Sequence, residues 1–274
     1  MTRLFGCIET MNFQLGLIGL GAIGRQVIAA AWDGKLPGVE VAAILVRKPR
    51  VPAEADVTHE PDRFFARRLD AVVEGAGHQA VRDHGERALK SGADLLITSV
   101  GALTDDALRE RLFAAARAAK RRLILPSAGI GSLDILAGAA VGGLDSVEIV
   151  VRKQPEAWLG TEAEGKIDLM NLKAPVTIYD GPVRDGARRF PQNVNISAAT
   201  ALAGIGLDRT RLVIVADPTI RTHVVEVHAR GAFGKYDFVE DVIPTDENPK
   251  TGKLVGMAGV KAIRQLTQPM VVGL

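Results

Sequence analysis

The sequence is poor in the features that mark several protein classes. Its 274 residues include one cysteine, Cys7, so an internal disulfide is excluded and a mid-chain thiol nucleophile is absent. The 34 basic and 32 acidic residues leave a formal charge of +2, and no block of like charges resembles a nucleic-acid-binding arm. We therefore expect no nucleic-acid partner, and nothing in the sequence indicates a metal site.

Long apolar runs are also missing. Stretches such as "DLLITSVGAL" and "RLVIVA" are well short of the roughly 20 residues that span a bilayer, so no membrane segment is expected. The first residues, "MTRLFGCIETMNF", do not contain the continuous apolar core of a secretory signal. The sequence therefore predicts a cytoplasmic protein.

Apolar residues are nevertheless plentiful, at 47% of the chain, and their pattern changes along it. In the first half, short apolar runs alternate with amphipathic stretches, one of which starts at Thr104 as a candidate N-cap. This alternation is typical of a doubly wound parallel α/β sheet. The predicted strands are "FQLGLIG" (13–19), "VEVAAILV" (39–46), "DAVVEGA" (70–76), "DLLITSV" (94–100) and "RLILPS" (122–127).

The second half contains longer alternating runs that predict an α+β domain on an open mixed or antiparallel sheet. Its last three runs, "TRLVIVADP", "THVVEVHARG" and "GKYDFVEDVIP", follow one another closely and suggest an antiparallel meander. We predict a dinucleotide-binding domain at 1–133 and a substrate-binding and dimerisation domain at 134–245. A C-terminal helix at about 246–274 is expected to pack back on the first domain.

The segment "GLIGLGAIG" carries the clearest binding motif. Gly19, Gly21 and Gly24 have the G-x-G-x-x-G spacing between a predicted strand and a predicted helix, and these glycines are expected to bind a cofactor together with Ala22 and Ile23. In a Rossmann domain these glycines allow a tight turn, approach of a pyrophosphate and close helix packing. The motif predicts an NAD or NADP site, whereas the alternative is a tight turn without a ligand.

Basic residues follow the second predicted strand, at the position where a Rossmann domain distinguishes NAD from NADP. The second predicted strand ends in "ILVRKPR", with Arg47, Lys48 and Arg50 but no carboxylate to bind a ribose diol. We expect NADP to bind at least as well as NAD, although a solvated basic loop is the simpler alternative. The small-residue loops "TSVGAL" and "PSAGIGS" supply further cofactor candidates, which are Ser99, Ala128 and Gly129; tight turns alone would explain them equally well.

The stretch "THVVEVHARG" places one histidine on an otherwise apolar face. As a strand it would direct His223, Val225, Val227 and Ala229 to one side and His228 to the other. A hydrogen-bonded core histidine would explain His223 without any function. The preceding "DPTIRT" predicts a turn, which would place His223 at the entry of its strand, where a cleft can open.

Several segments together resemble the L-aspartate dehydrogenase family. They are "GLIGLGAIG", "LPSAGIGSLD", "RRFPQNVNISAATALAGIG", "DRTRLVIVADP", "THVVEVHARGAFG" and "ENPKTG". The resemblance implies NAD(P)-dependent oxidation of L-aspartate to iminoaspartate, which hydrolyses to oxaloacetate and ammonia or supplies NAD biosynthesis. It also implies a Rossmann domain and a second domain, similar to that of dihydrodipicolinate reductase, that completes the site and forms a homodimer.

The resemblance also assigns roles to individual residues. It implies that His223 is the catalytic histidine, that Asn193 contacts the cofactor and that Ala128 or Gly129 provides a backbone contact. Histidine suits the proton transfers of this reaction because its ordinary pKa is about 6.5. Asn193 could instead be only an N-cap.

A dicarboxylate substrate needs cationic partners. We predict Lys153 for this role, with Asn193 and His223 also contacting the substrate. The alternative cations in the second domain are Arg152, Lys166 and Arg221, each of which could be only a solvated surface charge.

Other functions remain open from the sequence alone. An imine reductase of the dihydrodipicolinate reductase type ranks second, and a non-catalytic NADP-binding redox sensor is a third possibility. Aspartate-semialdehyde and glyceraldehyde-phosphate dehydrogenases are disfavoured because they need a mid-chain thiol. The segment at 161–173 is expected to form either a flap over the substrate or a surface helix.

Overall fold

The first sheet has six parallel strands. The computed structural model describes residues 12–47, 56–127, 131–191, 194–245 and 252–273. The strand order is β3-β2-β1-β4-β5-β6, which is the Rossmann order. The strands are β1 Phe13–Ile18, β2 Val39–Leu45, β3 Val57–Thr58, β4 Ala71–Glu74, β5 Asp94–Ile97 and β6 Leu123–Ile124. The parallel sheet predicted for this half is confirmed, and the two-residue β3 is an addition that the apolar pattern did not indicate.

Helices cover both faces of this sheet, which explains why its central strands are largely apolar. All four residues of β4 and of β5 are buried. The helices are α1 Ala22–Trp32, α2 Pro61–Phe65, α3 His78–Lys90 and α4 Asp106–Ala119. Each helix buries one face against the sheet, so the strands can bury both of theirs.

The predicted N-cap of α4 was wrong by one residue. Asp105 caps the helix, because its carboxylate accepts a hydrogen bond from the Leu108 N–H at 3.1 Å. The Thr104 hydroxyl donates to the Gly101 carbonyl at 2.7 Å, within the 3₁₀ helix Val100–Thr104 that precedes α4. Both residues have capping side chains, and this preceding turn already uses that of Thr104.

The second sheet is mixed, in the order β11-β10-β7-β9-β8. Its strands are β7 Leu144–Lys153, β8 Val176–Pro182, β9 Arg211–Ala216, β10 His223–Gly231 and β11 Gly234–Val242. The predicted meander is confirmed for β10 and β11, which pair antiparallel, but was wrong for β9, because β7 lies between β9 and β10 and pairs with both. Strands two positions apart are separated by about 10 Å, and the six-residue link at 217–222 is long enough to cross that distance.

Four further helices complete the described part of the chain, namely α5 Leu133–Val141, α6 Val183–Arg189, α7 Asn195–Ala203 and α8 Leu254–Thr267. α8 packs against α1, and its Ala262 and Ile263 share a core with Val27. α7 packs against Val100–Thr104, so it connects the second sheet to the first. No helix among the residues described here has the length and apolarity to cross a membrane.

Residues 155–174 lie against the second core and form no helix longer than one 3₁₀ turn. Trp158, Ala163 and Leu169 are buried there together with strands of the second sheet. The regular structure of the segment consists of the 3₁₀ helices Pro155–Trp158 and Leu169–Asn171. The surface-helix alternative is therefore wrong. None of these residues lines the cavity described below, so the structure gives no support to a flap.

Candidate active site

A cavity of about 720 Å³ lies between the two sheets. One wall consists of loops at the carboxyl ends of the first-sheet strands, where open α/β sheets bind ligands. The other consists of β7, β10 and β11, with α7 at one side. The described residues that line it are Gly21, Ala22, Ile23, Gly75, Ala76, Gly77, His78, Thr98, Ser99, Val100, Ser127, Val151, Lys153, Pro191, Asn195, Ile196, Ala199, His223, Val225, Glu240, Val242, Gly252 and Val255.

The glycine loop has the close packing that its motif requires. Gly19 has a φ of +101°, and a Cβ there would lie 2.8 Å from the Cβ of Ala76. A Cβ on Gly24 would lie 2.4 Å from the carbonyl oxygen of Gly19, so α1 could not approach β1 this closely with any other residue. Gly21 is the N-cap of α1 and lines the cavity. The first N–H groups of α1 have no partners within the helix and are available to a phosphate.

A buried carboxylate organises the next loops of this wall. Glu74, at the end of β4, accepts hydrogen bonds from the N–H groups of Ala76 and Gly77 at 2.7 and 2.9 Å. It also accepts bonds from the hydroxyl and N–H of Ser99, at 3.0 and 3.2 Å. Burial raises the pKa of Glu74 above its ordinary value, although these four bonds favour the ionised form. Ser99 thus holds together the two loops that follow β4 and β5.

A hydrogen-bonded group joins the first wall to α7. The Asn195 Oδ1 atom accepts a bond from the Gly101 N–H at 2.9 Å and lies 3.0 Å from the His78 Nε2 atom. Because a carbonyl oxygen only accepts, His78 donates through Nε2. The amide of Asn195 thereby fixes the position of the first turn of α7 relative to the first-sheet loops.

The second wall is one face of a three-strand surface. Val225 on β10 pairs with Val151 on β7 and with Glu240 on β11, and all three line the cavity. One pair further along, His223 faces Val242, and Lys153 lies at the adjoining end of β7. Lys153, His223 and Glu240 are only 7%, 8% and 9% exposed, respectively. This wall therefore brings three ionisable groups together in an apolar surrounding.

The turn before His223 is held by a buried aspartate. The Asp217 carboxylate accepts bonds from the N–H and hydroxyl of Thr219, at 2.8 and 2.6 Å, and lies 3.4 Å from Arg152. Burial alone would raise the pKa of Asp217, but the Thr219 bonds and the Arg152 charge outweigh it and hold that pKa below its ordinary value. The turn delivers His223 to the first position of β10.

The four candidate cations of the second domain lie in different places relative to the cavity. Lys153 lines the cavity, with its Nζ atom 5.8 Å from the centre of the Trp158 ring. Arg152 contacts Asp217 and Glu226 on the other side of β7. Lys166 pairs with Glu162, and Arg221 bonds to carbonyls of its own loop. Of the four, only Lys153 is positioned to meet a ligand in this cavity.

Of the remaining residues singled out in the sequence, some are described but do not line the cavity, and the others lie outside the described residues. Arg47 is exposed just after β2 and is not part of the cavity lining. His228 bonds to Asp237 at 2.8 Å on the face of β10 away from the cavity. The predictions for Lys48, Arg50, Ala128, Gly129 and Asn193 lie outside the described residues.

Sequence reasoning missed four polar residues, namely Glu74, His78, Asn195 and Glu240. A signal existed for Glu240, because Tyr236, Phe238 and Val242 occupy the same face of its strand and the burial alternates along it. Glu74 ends a fully buried strand, which is an unusual place for a carboxylate. His78 and Asn195 meet only through the tertiary fold, and their sequence neighbourhoods indicate no role.

Comparison with known proteins gives two family matches. Residues 134–266 match the C-terminal domain of aspartate dehydrogenase, and residues 19–126 match the NAD-binding domain of homoserine dehydrogenase. The first of these matches covers all strands of the second sheet and most of α8, and the second covers the first sheet from the glycine loop through β6, without β1. They agree with a nucleotide-binding unit followed by a second mixed-sheet unit.

Individual relatives extend over nearly the whole chain. The L-aspartate dehydrogenase of Ralstonia nicotianae is 44% identical over 260 residues, covering 91% of this chain and 96% of the relative. That of Pseudomonas aeruginosa is 40% identical over 258 residues, covering 90% and 95%. The crystal structure of aspartate dehydrogenase from Thermotoga maritima matches with a TM-score of 0.77 at 24% identity, covers 96% of this chain and 100% of that one, and supports the same fold. The chain belongs to the L-aspartate dehydrogenase family.

Proposed function

We propose that this chain is an NAD(P)-dependent L-aspartate dehydrogenase. It oxidises L-aspartate to iminoaspartate, which then hydrolyses to oxaloacetate and ammonia. The observation that carries this proposal is the cavity itself, which places a nucleotide-type glycine loop opposite Lys153 and His223. Family membership supplies the substrate, since the relatives with this architecture are named L-aspartate dehydrogenases.

The residues on the first wall fit a pyridine dinucleotide. Side chains are excluded at Gly19 and Gly24, and the start of α1 faces the cavity at Gly21. This leaves room for a pyrophosphate against backbone N–H groups. A bound nicotinamide supplies the acceptor for the hydride of the substrate Cα. Ser99 and Gly77 would border that part of the cavity.

For the cofactor preference, we propose that NADP binds at least as well as NAD. Arg47 follows the end of β2 as an exposed guanidinium, where an NAD-selective protein would carry a carboxylate. A guanidinium can bind a 2′-phosphate through two parallel hydrogen bonds. The choice between cofactors then depends on Arg47 rather than on the glycine loop.

His223 is proposed to transfer the protons of the reaction. Oxidation at Cα requires a neutral amine, so His223 takes a proton from the substrate ammonium group and the nitrogen lone pair then forms the C=N bond. The imidazolium releases that proton to solvent before the hydrolysis, and the neutral imidazole then deprotonates the attacking water and returns a proton to the departing amine. Its place at the start of β10, among buried valines, presents the ring from a rigid element.

Lys153 is proposed to bind a substrate carboxylate. It is buried on the same wall as His223, and its ammonium group lies beside Trp158. A buried cation strongly favours an anionic ligand, because few water molecules compete for its charge. Asn193 and the backbone of Ala128 and Gly129 remain proposed cofactor contacts from the family resemblance, and Asn193 and His223 remain proposed substrate contacts.

The decisive assay follows nicotinamide absorbance. The protein is mixed with L-aspartate and either NADP or NAD at alkaline pH, and then with oxaloacetate, ammonia and the reduced cofactor. We expect cofactor reduction in the first mixture and oxidation in the second. Tight cofactor binding without turnover in either direction would favour a redox sensor, and activity on a dihydrodipicolinate precursor alone would favour the imine reductase.

A homodimer is the proposed assembly. The second sheet leaves β11 as an edge strand, and exposed apolar side chains near it include Phe233, Val239 and Ile243. An exposed apolar edge of this kind is a surface at which two copies can pair across a two-fold axis. Light scattering should give a mass near twice 29.1 kDa, and a monomer mass at all concentrations would contradict the proposal.

A further inference from the structure

Glu240 is a buried carboxylate that the mechanism above does not use. It lies on β11, lines the cavity and is 9% exposed. One oxygen, Oε2, accepts a hydrogen bond from the Gly131 N–H at 3.3 Å. The other, Oε1, is buried and has no hydrogen-bond partner among the described residues. A buried polar atom without a partner is costly, so its retention in a cavity wall calls for a ligand that supplies a donor.

The surroundings of Glu240 do little to stabilise the negative charge of its carboxylate. Its strand partner is Val225, and its neighbours on the same face of β11 are Phe238 and Val242. Burial in this apolar surrounding raises the pKa of Glu240 to about 7, and the Gly131 bond acts in the opposite direction. The group is therefore stabilised by anything cationic that enters the cavity.

Glu74 provides a useful contrast. Both of its oxygens accept hydrogen bonds from N–H or hydroxyl groups, so its role in organising the loops is complete without a ligand. Glu240 accepts one long hydrogen bond at Oε2, and its Oε1 atom has no hydrogen-bond partner among the described residues. Among the described residues that line the cavity, Glu240 is the only carboxylate and Lys153 is the only lysine or arginine.

The positions of these charges match those of an amino dicarboxylic acid. His223 and Glu240 are diagonal neighbours on adjacent strands, with a spacing of about 7–8 Å between their backbones. Lys153 ends β7 on the other side of His223. The wall thus presents a cation, an imidazole and an anion in sequence, whereas L-aspartate carries two carboxylates and one ammonium group.

We propose that Glu240 binds the α-ammonium group of the substrate through Oε1, while Lys153 binds a carboxylate. This inference rests on the proposed function and names the residue that selects an amino acid over a plain dicarboxylic acid. Holding the ammonium group beside His223 also presents its proton to the imidazole. Glu240 is a substrate-binding residue in this scheme and takes no proton itself.

The test compares two ligands that differ in the ammonium group. Binding of L-aspartate and of succinate is measured by calorimetry on protein saturated with reduced cofactor, so that no turnover occurs. Glu240→Gln removes the charge and keeps the shape. We expect this variant to bind L-aspartate about 10-fold more weakly or worse, because a charge-assisted hydrogen bond is lost, and to bind succinate as well as or better than the wild-type protein.

The control is Asp241→Asn, which removes a charge from the next residue of β11, where the side chain is exposed on the opposite face. This variant should bind L-aspartate and succinate with the same affinities as the wild-type protein. Glu240→Asp keeps a carboxylate on a shorter side chain and should retain part of the preference for L-aspartate. This second variant keeps the test valid if Glu240→Gln folds poorly. Steady-state kinetics should show that Glu240→Gln raises KM for L-aspartate much more than it lowers kcat.

An equal change for both ligands, or no change for either, would overturn the role of Glu240. This outcome is distinct from failure of the proposed function. The binding measurement uses no turnover, whereas the proposed function fails if wild-type protein does not reduce NAD or NADP with L-aspartate. An active wild-type enzyme with an unchanged ligand preference in Glu240→Gln would refute only the present inference.

Discussion

The two walls of the cavity are built in different ways. The first-sheet wall consists largely of backbone and small residues, with Gly19 and Gly24 packed so closely that a Cβ would collide with neighbouring atoms. The second-sheet wall consists of side chains on one face of β7, β10 and β11, where Lys153, His223 and Glu240 are each at least nine-tenths buried. The first wall has the form of a phosphate cradle, whereas the second has the charges needed for substrate chemistry.

This difference in construction indicates that the two walls have different functions. A backbone cradle binds the part of a cofactor that is common to many reactions, so it tolerates little variation in its glycines. A side-chain wall on a rigid sheet determines which substrate is bound and where its protons go. Variants on the first wall should therefore alter cofactor affinity, and variants on the second should alter turnover or substrate affinity.

The largest effect is expected at His223. His223→Ala should lower kcat by about 100-fold or more because the general acid/base is lost, while cofactor affinity stays close to that of the wild-type protein. Steady-state kinetics and cofactor fluorescence titration measure the two effects. His228→Ala is the matched control on the same strand, because His228 faces away from the cavity. A decrease in kcat of less than a few-fold for His223→Ala would remove the proposed role.

A smaller effect is expected at Lys153. Lys153→Met keeps much of the side-chain volume and removes the charge, so KM for L-aspartate should rise by about 10–100-fold as an ionic hydrogen bond is lost. KM for the cofactor should change little. Lys166→Met serves as the control, since Lys166 is exposed and pairs with Glu162. If both variants raise KM equally, Lys153 does not bind the substrate.

Beside the first wall, at the end of β2, Arg47 should distinguish the two cofactors. Arg47→Ala should raise KM for NADP by about 10-fold and leave KM for NAD nearly unchanged, because only NADP carries the 2′-phosphate. The control is Lys35→Ala, which removes an exposed cation paired with Asp33 at the end of α1. An unchanged KM for NADP in Arg47→Ala would contradict the proposed preference.

A further expected effect concerns stability rather than activity. The pKa of Glu240 is raised from 4.5 to about 7 in the folded protein, so the folded state holds this proton more tightly than the unfolded state. Its contribution to stability is therefore full at low pH and is lost as pH rises from about 4.5 through 7. Glu240→Gln should be more stable than wild type at about pH 8, by roughly 1–3 kcal/mol, and nearly equal to it at about pH 5.

Urea unfolding of both proteins at the two pH values measures this difference. Comparing wild type with the variant cancels the titration of other groups, including the buried Glu74. A stability difference that is the same at both pH values would show that the Glu240 carboxyl does not titrate in this range.

The sequence predicted the first wall better than the second for a physical reason. Glycine spacing encodes a local backbone shape, so Gly19, Gly21 and Gly24 could be assigned to their loop before the fold was known. Strand pairing is not local. The strand β7 lies between β9 and β10, and this arrangement brings Lys153 beside His223; the sequence indicated neither the pairing nor the joint between His78 and Asn195.

Where a local signal existed on the second wall, it was the alternation of buried and exposed residues. His223 stands out on a face of valines and, as the apolar alternation of its strand predicted, is buried, on the cavity wall. Glu240 stands out in the same way among Tyr236, Phe238 and Val242, and the same reasoning applied to its strand would have found it. A lone ionisable residue on an apolar strand face is thus a useful indicator of a site.

The division between the two walls is tested most directly by measuring cofactor binding and turnover in parallel on His223→Ala and Gly24→Ala. We predict that His223→Ala binds reduced cofactor like the wild-type protein but turns over at least about 100-fold more slowly. Gly24→Ala should bind the cofactor more weakly, because its Cβ meets the Gly19 carbonyl, and should recover most of its kcat at saturating cofactor. If each variant lost both properties together, the two walls would not have separate roles.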